Sequence, residues 1–259
     1  MLVPSLYLIA AVPVDTAPEK VFNLVMPFLV ATEQIQWMQT RARNLLEFYL
    51  RDAEPLSPEQ KRKIQNFAVP FTRHKITIDK PLIMGLMGTA WLNDEIIDVY
   101  LMDLLVDRDD VTYCSVLFLY QIANKLTPTR YDFTRDLIIV PINYGNNHWA
   151  LGVIYPNKSL MQVYDSCNVS PSERKQNADN FAETMISVFA SRNIHKSIRW
   201  NVQPIYNSPT QTNSYDCGVF MVKIAEALIR GREVQDANII QSLMPIYRQK
   251  MAYDLVFPF

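Results

Sequence analysis

His148, Asp165 and Cys217 follow one another in an order that suits thiol chemistry, and Gln211 stands just before the cysteine. Cys217 lies in "QTNSYDCGVF", ahead of a run in which Val219, Phe220, Ile224, Ala225, Leu228 and Ile229 read as a buried helix closed by Gly231. A cysteine at a helix N-terminus meets free backbone N–H groups and the positive end of the dipole, which favour thiolate, and a neighbouring protonated histidine favours it further. The same N–H groups can serve a developing oxyanion, with Gln211 as a second donor. A thiolate that transfers acyl groups also needs an imidazole to handle the proton and a carboxylate to fix the imidazole tautomer.

The elements around these residues decide whether they can meet. "LIIVPIN" (137–143), "HWALGVIY" (148–155) and "LMQVYDS" (160–166) are rich in β-branched and aromatic residues and are separated by the turn formers "YGNN" and "PNKS". If the last two strands pair about "PNKS" with Tyr155 facing Leu160, Ala150 lies opposite Asp165 and His148 becomes its diagonal neighbour on the same face. "WLNDEIIDVYLMDLLVD" predicts a helix starting at Asn93, with Asp94 and Glu95 at its positive end, and "VLFLYQIANKL" predicts a second. Upstream, a helical pattern runs from Thr32 to about Phe67 and restarts in "LSPEQKRKIQNF" with Ser57 as N-cap and Pro58 in the first turn. Residues 1–70 thus read as an N-terminal helical module, followed at 71–259 by an α+β domain of three adjacent strands among helices.

Each residue also suits a structural role. A cysteine before an apolar helix packs well, His148 beside Trp149 can be a core histidine, and Asp165 and Gln211 can be turn and loop residues. The residue pattern alone leaves the catalytic and structural readings both open. His74 in "FTRHK" has no acidic partner evident in sequence and reads as a surface residue, while His195 reads as a helix-end cation. Cys114 and Cys167 lack the helix-start setting and read as structural thiols.

The chain has 259 residues, 49% of them hydrophobic, and a formal net charge of −1, which argues for a globular protein with no general attraction to nucleic acid. Its three cysteines show none of the Cys/His spacings that hold zinc, and suit a reducing, intracellular compartment. The apolar start "MLVPSLYLIAAVPV" lacks the positive region of a signal peptide, and the apolar run at 21–31 is too short to span a bilayer. Six glycines and no glycine-rich phosphate loop argue against a nucleotide fold.

"WLNDEIIDVYLMDLL", "LIIVPINYGNNHWALGVI", "QVYDS", "QTNSYDCGVF" and "LMPIYRQKMAYDL" together resemble, in order and spacing, the motifs of the Ulp/sentrin-specific cysteine proteases, over roughly residues 75–256. Members of that family process SUMO and related ubiquitin-like modifiers. The resemblance implies a papain-like, adenain-type fold with a central, mostly antiparallel sheet flanked by helices. It makes His148 the general base, Asp165 its orienting carboxylate, Cys217 the nucleophile and Gln211 the oxyanion-hole side chain. Trp91 and Trp149 would line a tunnel for the Gly-Gly tail of the modifier. It implies neither metal nor cofactor, and a nuclear or cytoplasmic place of action, or delivery into a host cell if the protein is a bacterial effector. The chain departs from the family in the nearly uncharged "KPLIMGLMGTAW" before the first motif and in "TPTRYDF", where a tryptophan is usual. Such changes touch docking more than chemistry, so a deubiquitinase or an acetyltransferase of the same clan, or a modifier-binding protein without activity, stays open beside the SUMO protease.

Overall fold

The computed structural model describes residues 54–126 and 130–257. From Pro55 onward the chain forms one compact unit. Its first helix, α1 (Pro58–Gln65), starts with a reciprocal cap in which Ser57 accepts from the Gln60 N–H and the Gln60 side chain accepts from the Ser57 N–H. Ile64 of this helix is fully buried, so a helix that the sequence groups with the N-terminal module lies within the compact unit. The rest of that module, including the apolar runs at 1–14 and 21–31, lies outside the described residues, as does 127–129 of "TPTRYDF".

Strands β1 (Phe71–Arg73) and β2 (Ile76–Ile78) form a small hairpin, and α2 (Lys80–Met87) follows from an Asp79 cap. Helix α3 (Asp94–Asp103) begins where the sequence predicts, with Asn93 Oδ1 accepting from the Ile96 N–H at 3.0 Å and Asp94 and Glu95 in the first turn. The second predicted helix is shorter than its apolar pattern, α4 (Phe118–Ala123).

The main sheet has five strands in the order β3 (Val111–Tyr113), β4 (Leu137–Tyr144), β5 (His148–Tyr155), β6 (Leu160–Tyr164) and β7 (Asn201–Pro204). Its three central strands are antiparallel, as expected, and the edge strands β3 and β7 each add in parallel, so the sheet is mixed. Strands this short carry too few residues to show an alternating pattern in sequence.

Both faces of β5 are covered, which explains its nearly continuous apolar sequence. On one face Ala150 and Ile154 join a core with Phe181, Ala182 and Met185 of α5 (Pro171–Ser191). On the other, Trp149 meets Gly218 of α6 (Cys217–Ile229). The close packing needs glycine twice. A Cβ on Gly152 would lie 2.4 Å from the Phe181 ring, and one on Gly218 would lie 2.7 Å from Leu92 Cβ and 3.2 Å from Trp149 Cδ1. Helix α5 was not singled out from sequence, although the Ser170 cap, Pro171 in the first turn and Glu173 behind it are a start signal. The C-terminal α7 (Met244–Val256) closes the unit, burying Tyr247, Arg248 and Met251.

Candidate active site

The β5–β6 register is the one the hairpin reading requires: Tyr155 pairs with Leu160 and Leu151 with Tyr164, so the next step beyond the ladder sets Ala150 beside Asp165. A short 3-10 turn, Pro156–Lys158, and Ser159 at φ 51° close the connection. At the sheet end His148 Nε2 lies 2.7 Å from Asp165 Oδ1. Asp165 Oδ1 also accepts from the Cys167 N–H at 2.8 Å. Arg174, from the first turn of α5, donates to the carbonyls of Asp165 and Cys167 at 2.8 and 2.5 Å. The carboxylate is therefore held by its own backbone before it holds the imidazole.

With Nε2 engaged by Asp165, the other ring nitrogen of His148 faces sulfur. Cys167 Sγ lies 3.4 Å from Nδ1, and His148 is near enough to Cys217 to favour its thiolate. The ring of Tyr144, across the β4–β5 turn, stacks on the imidazole with centroids 6.1 Å apart.

The electrostatics separate the two thiols. Burial works against the thiolate at Cys217, but the His148 hydrogen bond, the Trp149 and Gly218 backbone N–H groups and the His148 charge outweigh it and hold the thiol below its ordinary value. Burial likewise opposes charge on His148, yet the Asp165 carboxylate, which accepts from its ring, and the adjacent Cys217 sulfur raise it to about 9. The two shifts have opposite senses, and both favour the proton on the imidazole over the proton on sulfur. Cys167 behaves in the opposite way: burial, with Asp165 and Cys217 close by, pushes its thiol up to about 11. Cys217 is the better nucleophile of the pair.

Cys217 is the first residue of α6, and the loop before it is rigidly tied. Asp216 is buried and accepts from Arg248 Nε, Asn213 Nδ2 and Gln241 Nε2, each at 2.7 Å. Arg248 also donates to the carbonyls of Tyr215 at 2.9 Å and Leu86 at 3.2 Å, joining this loop to α2 and α7. Gln211 is linked to the carboxylate side of the site: its backbone N–H donates to the Ser166 carbonyl at 2.9 Å and its Oε1 accepts from Ser166 Oγ at 2.6 Å. Its Nε2 donates to the Asn213 carbonyl at 2.6 Å. Trp149 is 8% exposed and donates from Nε1 to the Leu92 carbonyl at 3.0 Å, whereas Trp91 is 51% exposed. One tryptophan is a wall of the core and the other is open to solvent.

Several residues differ from their sequence reading. Cys167 is not an isolated structural thiol, because it touches His148. His74 has an acidic partner, Asp103 Oδ1 at 2.8 Å, contributed by α3. His195 bonds the Phe133 carbonyl at 2.7 Å and packs against Phe189 and Trp200, so it joins α5 to the β4 side of the sheet and does not end a helix. Cys114 is fully buried, as read. Asp216, Arg248, Ser166 and Arg174 escaped sequence reasoning; Arg248 is distant in sequence from everything it supports.

A thiol at a helix start beside an imidazole and carboxylate at a sheet end, within an α+β fold, is the arrangement found in papain-like cysteine proteases. The chain belongs to the Ulp1 protease family, whose C-terminal catalytic domain it matches over residues 90–256. Among similar proteins are a sentrin-specific protease of Caenorhabditis elegans, 29% identical over 70% of this chain and 27% of its own length, and sentrin-specific protease 2 of Homo sapiens, 26% identical over 70% of this chain and 32% of its own. The putative ubiquitin-like-specific protease 1B of Arabidopsis thaliana is 26% identical over 84% of this chain and 71% of its own length. The chain thus spans about a quarter to a third of the animal proteins. The fold is shared with the yeast Ulp1 protease domain solved in complex with Smt3, with a TM-score of 0.62 at 18% identity over 79% of this chain and 96% of that one. It is shared equally with the catalytic domain of the Chaetomium thermophilum Ulp1-like SUMO protease, TM-score 0.61 at 21% identity over 78% and 90%. Among the described residues no helix is long and apolar enough to cross a membrane.

Proposed function

We propose that the protein cleaves after the C-terminal Gly-Gly of SUMO, or of a closely related ubiquitin-like modifier, at a peptide or an isopeptide bond. The observation that carries this reading is that His148 holds Asp165 at 2.7 Å beside Cys217 at the start of α6, and that the imidazole and the thiol shift each other, the imidazole up and the thiol down. Both shifts favour a thiolate beside an imidazolium. The family supplies the substrate class, since SUMO or its yeast ortholog is named for the yeast and C. thermophilum relatives.

The steps follow from the site. Cys217 Sγ attacks the carbonyl carbon of the terminal glycine, and the negative oxygen is met by N–H groups at the start of α6 and by Gln211. The His148 proton passes to the departing amine, the C–N bond breaks and a thioester on Cys217 remains. Water, deprotonated by the now neutral His148, attacks the thioester and the thiolate returns. Asp165 keeps the Nε2 proton in place throughout. In this reading Trp91 offers its exposed face to the extended glycine pair and Trp149 backs it from the core, flat aromatic surfaces that accept glycine and reject residues with a Cβ.

The test is a panel of C-terminally reactive modifiers, SUMO and ubiquitin among them, incubated with the wild-type chain and with Cys217→Ala and read by intact mass. A SUMO adduct on the wild type that disappears in the variant is expected. A ubiquitin adduct alone would reassign the modifier, and no adduct from folded protein would overturn the protease reading in favour of acetyl transfer or binding.

A further inference from the structure

Arg174 carries its charge where a cation is poorly favoured. It is 8% exposed and stands in the opening turn of α5, beside the positive end of the helix. Among the described residues its guanidinium makes two hydrogen bonds, both to carbonyls and neither to a carboxylate. Burial without a counter-ion and a place near a helix N-terminus both oppose the charge. We propose that Arg174 is a positioning residue for His148: by gripping the backbone on both sides of Ser166 it fixes the Asp165 carboxylate against the imidazole. The inference rests on the reading of His148 as the base and Asp165 as its orienting carboxylate.

The Ser166–Cys167 peptide sends its N–H to Asp165 Oδ1 at 2.8 Å and accepts the Gln211 N–H on its carbonyl at 2.9 Å. Arg174 holds the peptides before and after it, with Nη1 2.8 Å from the Asp165 carbonyl and Nη2 2.5 Å from that of Cys167. The oxygen that takes the Cys167 N–H is the one that lies 2.7 Å from His148 Nε2, so the arginine aims the carboxylate through the backbone. The helix start gives Arg174 a fixed base, since its own N–H donates to the Ser170 carbonyl at 2.9 Å and Ser170 Oγ accepts from the Glu173 N–H at 3.2 Å. A planar guanidinium serves two carbonyls at once in a set geometry, which the point charge of a lysine does not.

The titratable groups facing His148 are Tyr144 from β4, Asp165 and Cys167 after β6, and Cys217 from α6. Arg174 reaches the imidazole through Asp165, and that route has a sign. Loss of the arginine loosens the carboxylate from Nε2, so the imidazolium is less favoured and the His148 midpoint falls. An effect of the arginine charge alone would have the opposite sign, because removing a nearby cation favours the imidazolium. A merely structural role would lower stability and leave the midpoint where it is.

The full chain has three histidines, so NMR of protein labelled with 13C-histidine follows His148 directly, its signal being the one lost in His148→Gln. In a Cys217→Ala background, Arg174→Gln should lower the His148 midpoint by about one pH unit. Arg174→Lys should lower it less, in the same direction. With Asp165→Asn already present, adding Arg174→Gln should leave the midpoint unmoved. With Cys217 in place, Arg174→Gln should lower kcat on a modifier fusion on the order of 10- to 100-fold with little change in KM. A midpoint that stays or rises in folded Arg174→Gln, or in Arg174→Lys should the glutamine variant not fold, would overturn the proposal, as would an equal fall with Asp165→Asn present. The titration needs no modifier, so failure of the modifier probes with the His148 shift intact would refute the protease reading and leave the positioning role standing.

Discussion

Ser166 Oγ donates to Gln211 Oε1 at 2.6 Å, and the Gln211 N–H returns to the Ser166 carbonyl at 2.9 Å. The residue after Asp165 thus grips the amide that the proposed mechanism places in the oxyanion hole. Removing the hydroxyl in Ser166→Ala should lower kcat by about 10-fold with little change in KM, the scale of one lost hydrogen bond. Gln211→Ala should cost about 100-fold or more, as oxyanion donors do, and the double variant should be no worse than Gln211→Ala alone. Steady-state kinetics on a modifier fusion distinguish these outcomes.

The ion pair predicts the pH profile. In the proposed mechanism Cys217 acts as the thiolate, so kcat/KM rises from the acid side through a pKa below the ordinary thiol value. It falls on the alkaline side as His148 loses its proton at about 9. Asp165 helps hold that proton, so Asp165→Asn moves the alkaline limb to lower pH as well as slowing the reaction. The pH dependence of Cys217 alkylation by iodoacetamide gives the same limits without substrate.

Arg248 and Asp216 form an ion pair at 2.7 Å with both residues 2% exposed. Arg248→Met leaves a buried carboxylate without its cation and should cost about 3–5 kcal/mol in urea unfolding, with Tm falling by roughly 10 °C. Because the same arginine holds the Tyr215 carbonyl, turnover should decline even at temperatures where the protein remains folded.

Gly152→Ala places a methyl group against the Phe181 ring, 2.4 Å away before any shift. Overpacking of this kind costs about 1–3 kcal/mol. Phe181→Leu in the same chain should recover part of the loss, a coupling that a double-mutant cycle in denaturant measures.

Much of this was legible in one dimension. Ser57 and Asn93 declare their helices by side-chain chemistry that acts within three residues, and "PNKS" between two β-rich runs sets a register that puts His148 near Asp165. Edge strands β3 and β7 were not legible, since three or four residues gain their strand character from the neighbours they pair with. The N-terminal module was assigned a helix, α1, that local pattern could not tell from the rest, because Ile64 is recruited by burial in the compact unit.

The sequence by itself determined the reactive groups and their order, because helix caps, strand alternation and the turn between β5 and β6 are short-range effects of residue type. Only the tertiary structure decided which groups share a proton and which are bystanders. Spacing excluded a zinc motif and left Cys167 a structural thiol, yet folding sets it against the same imidazole that Cys217 uses. It likewise brings Arg248 from the last helix to the loop before Cys217. The physical reason is that hydrogen bonds and pKa shifts depend on distances of a few ångströms and on burial, and both are set by packing between segments far apart in the chain.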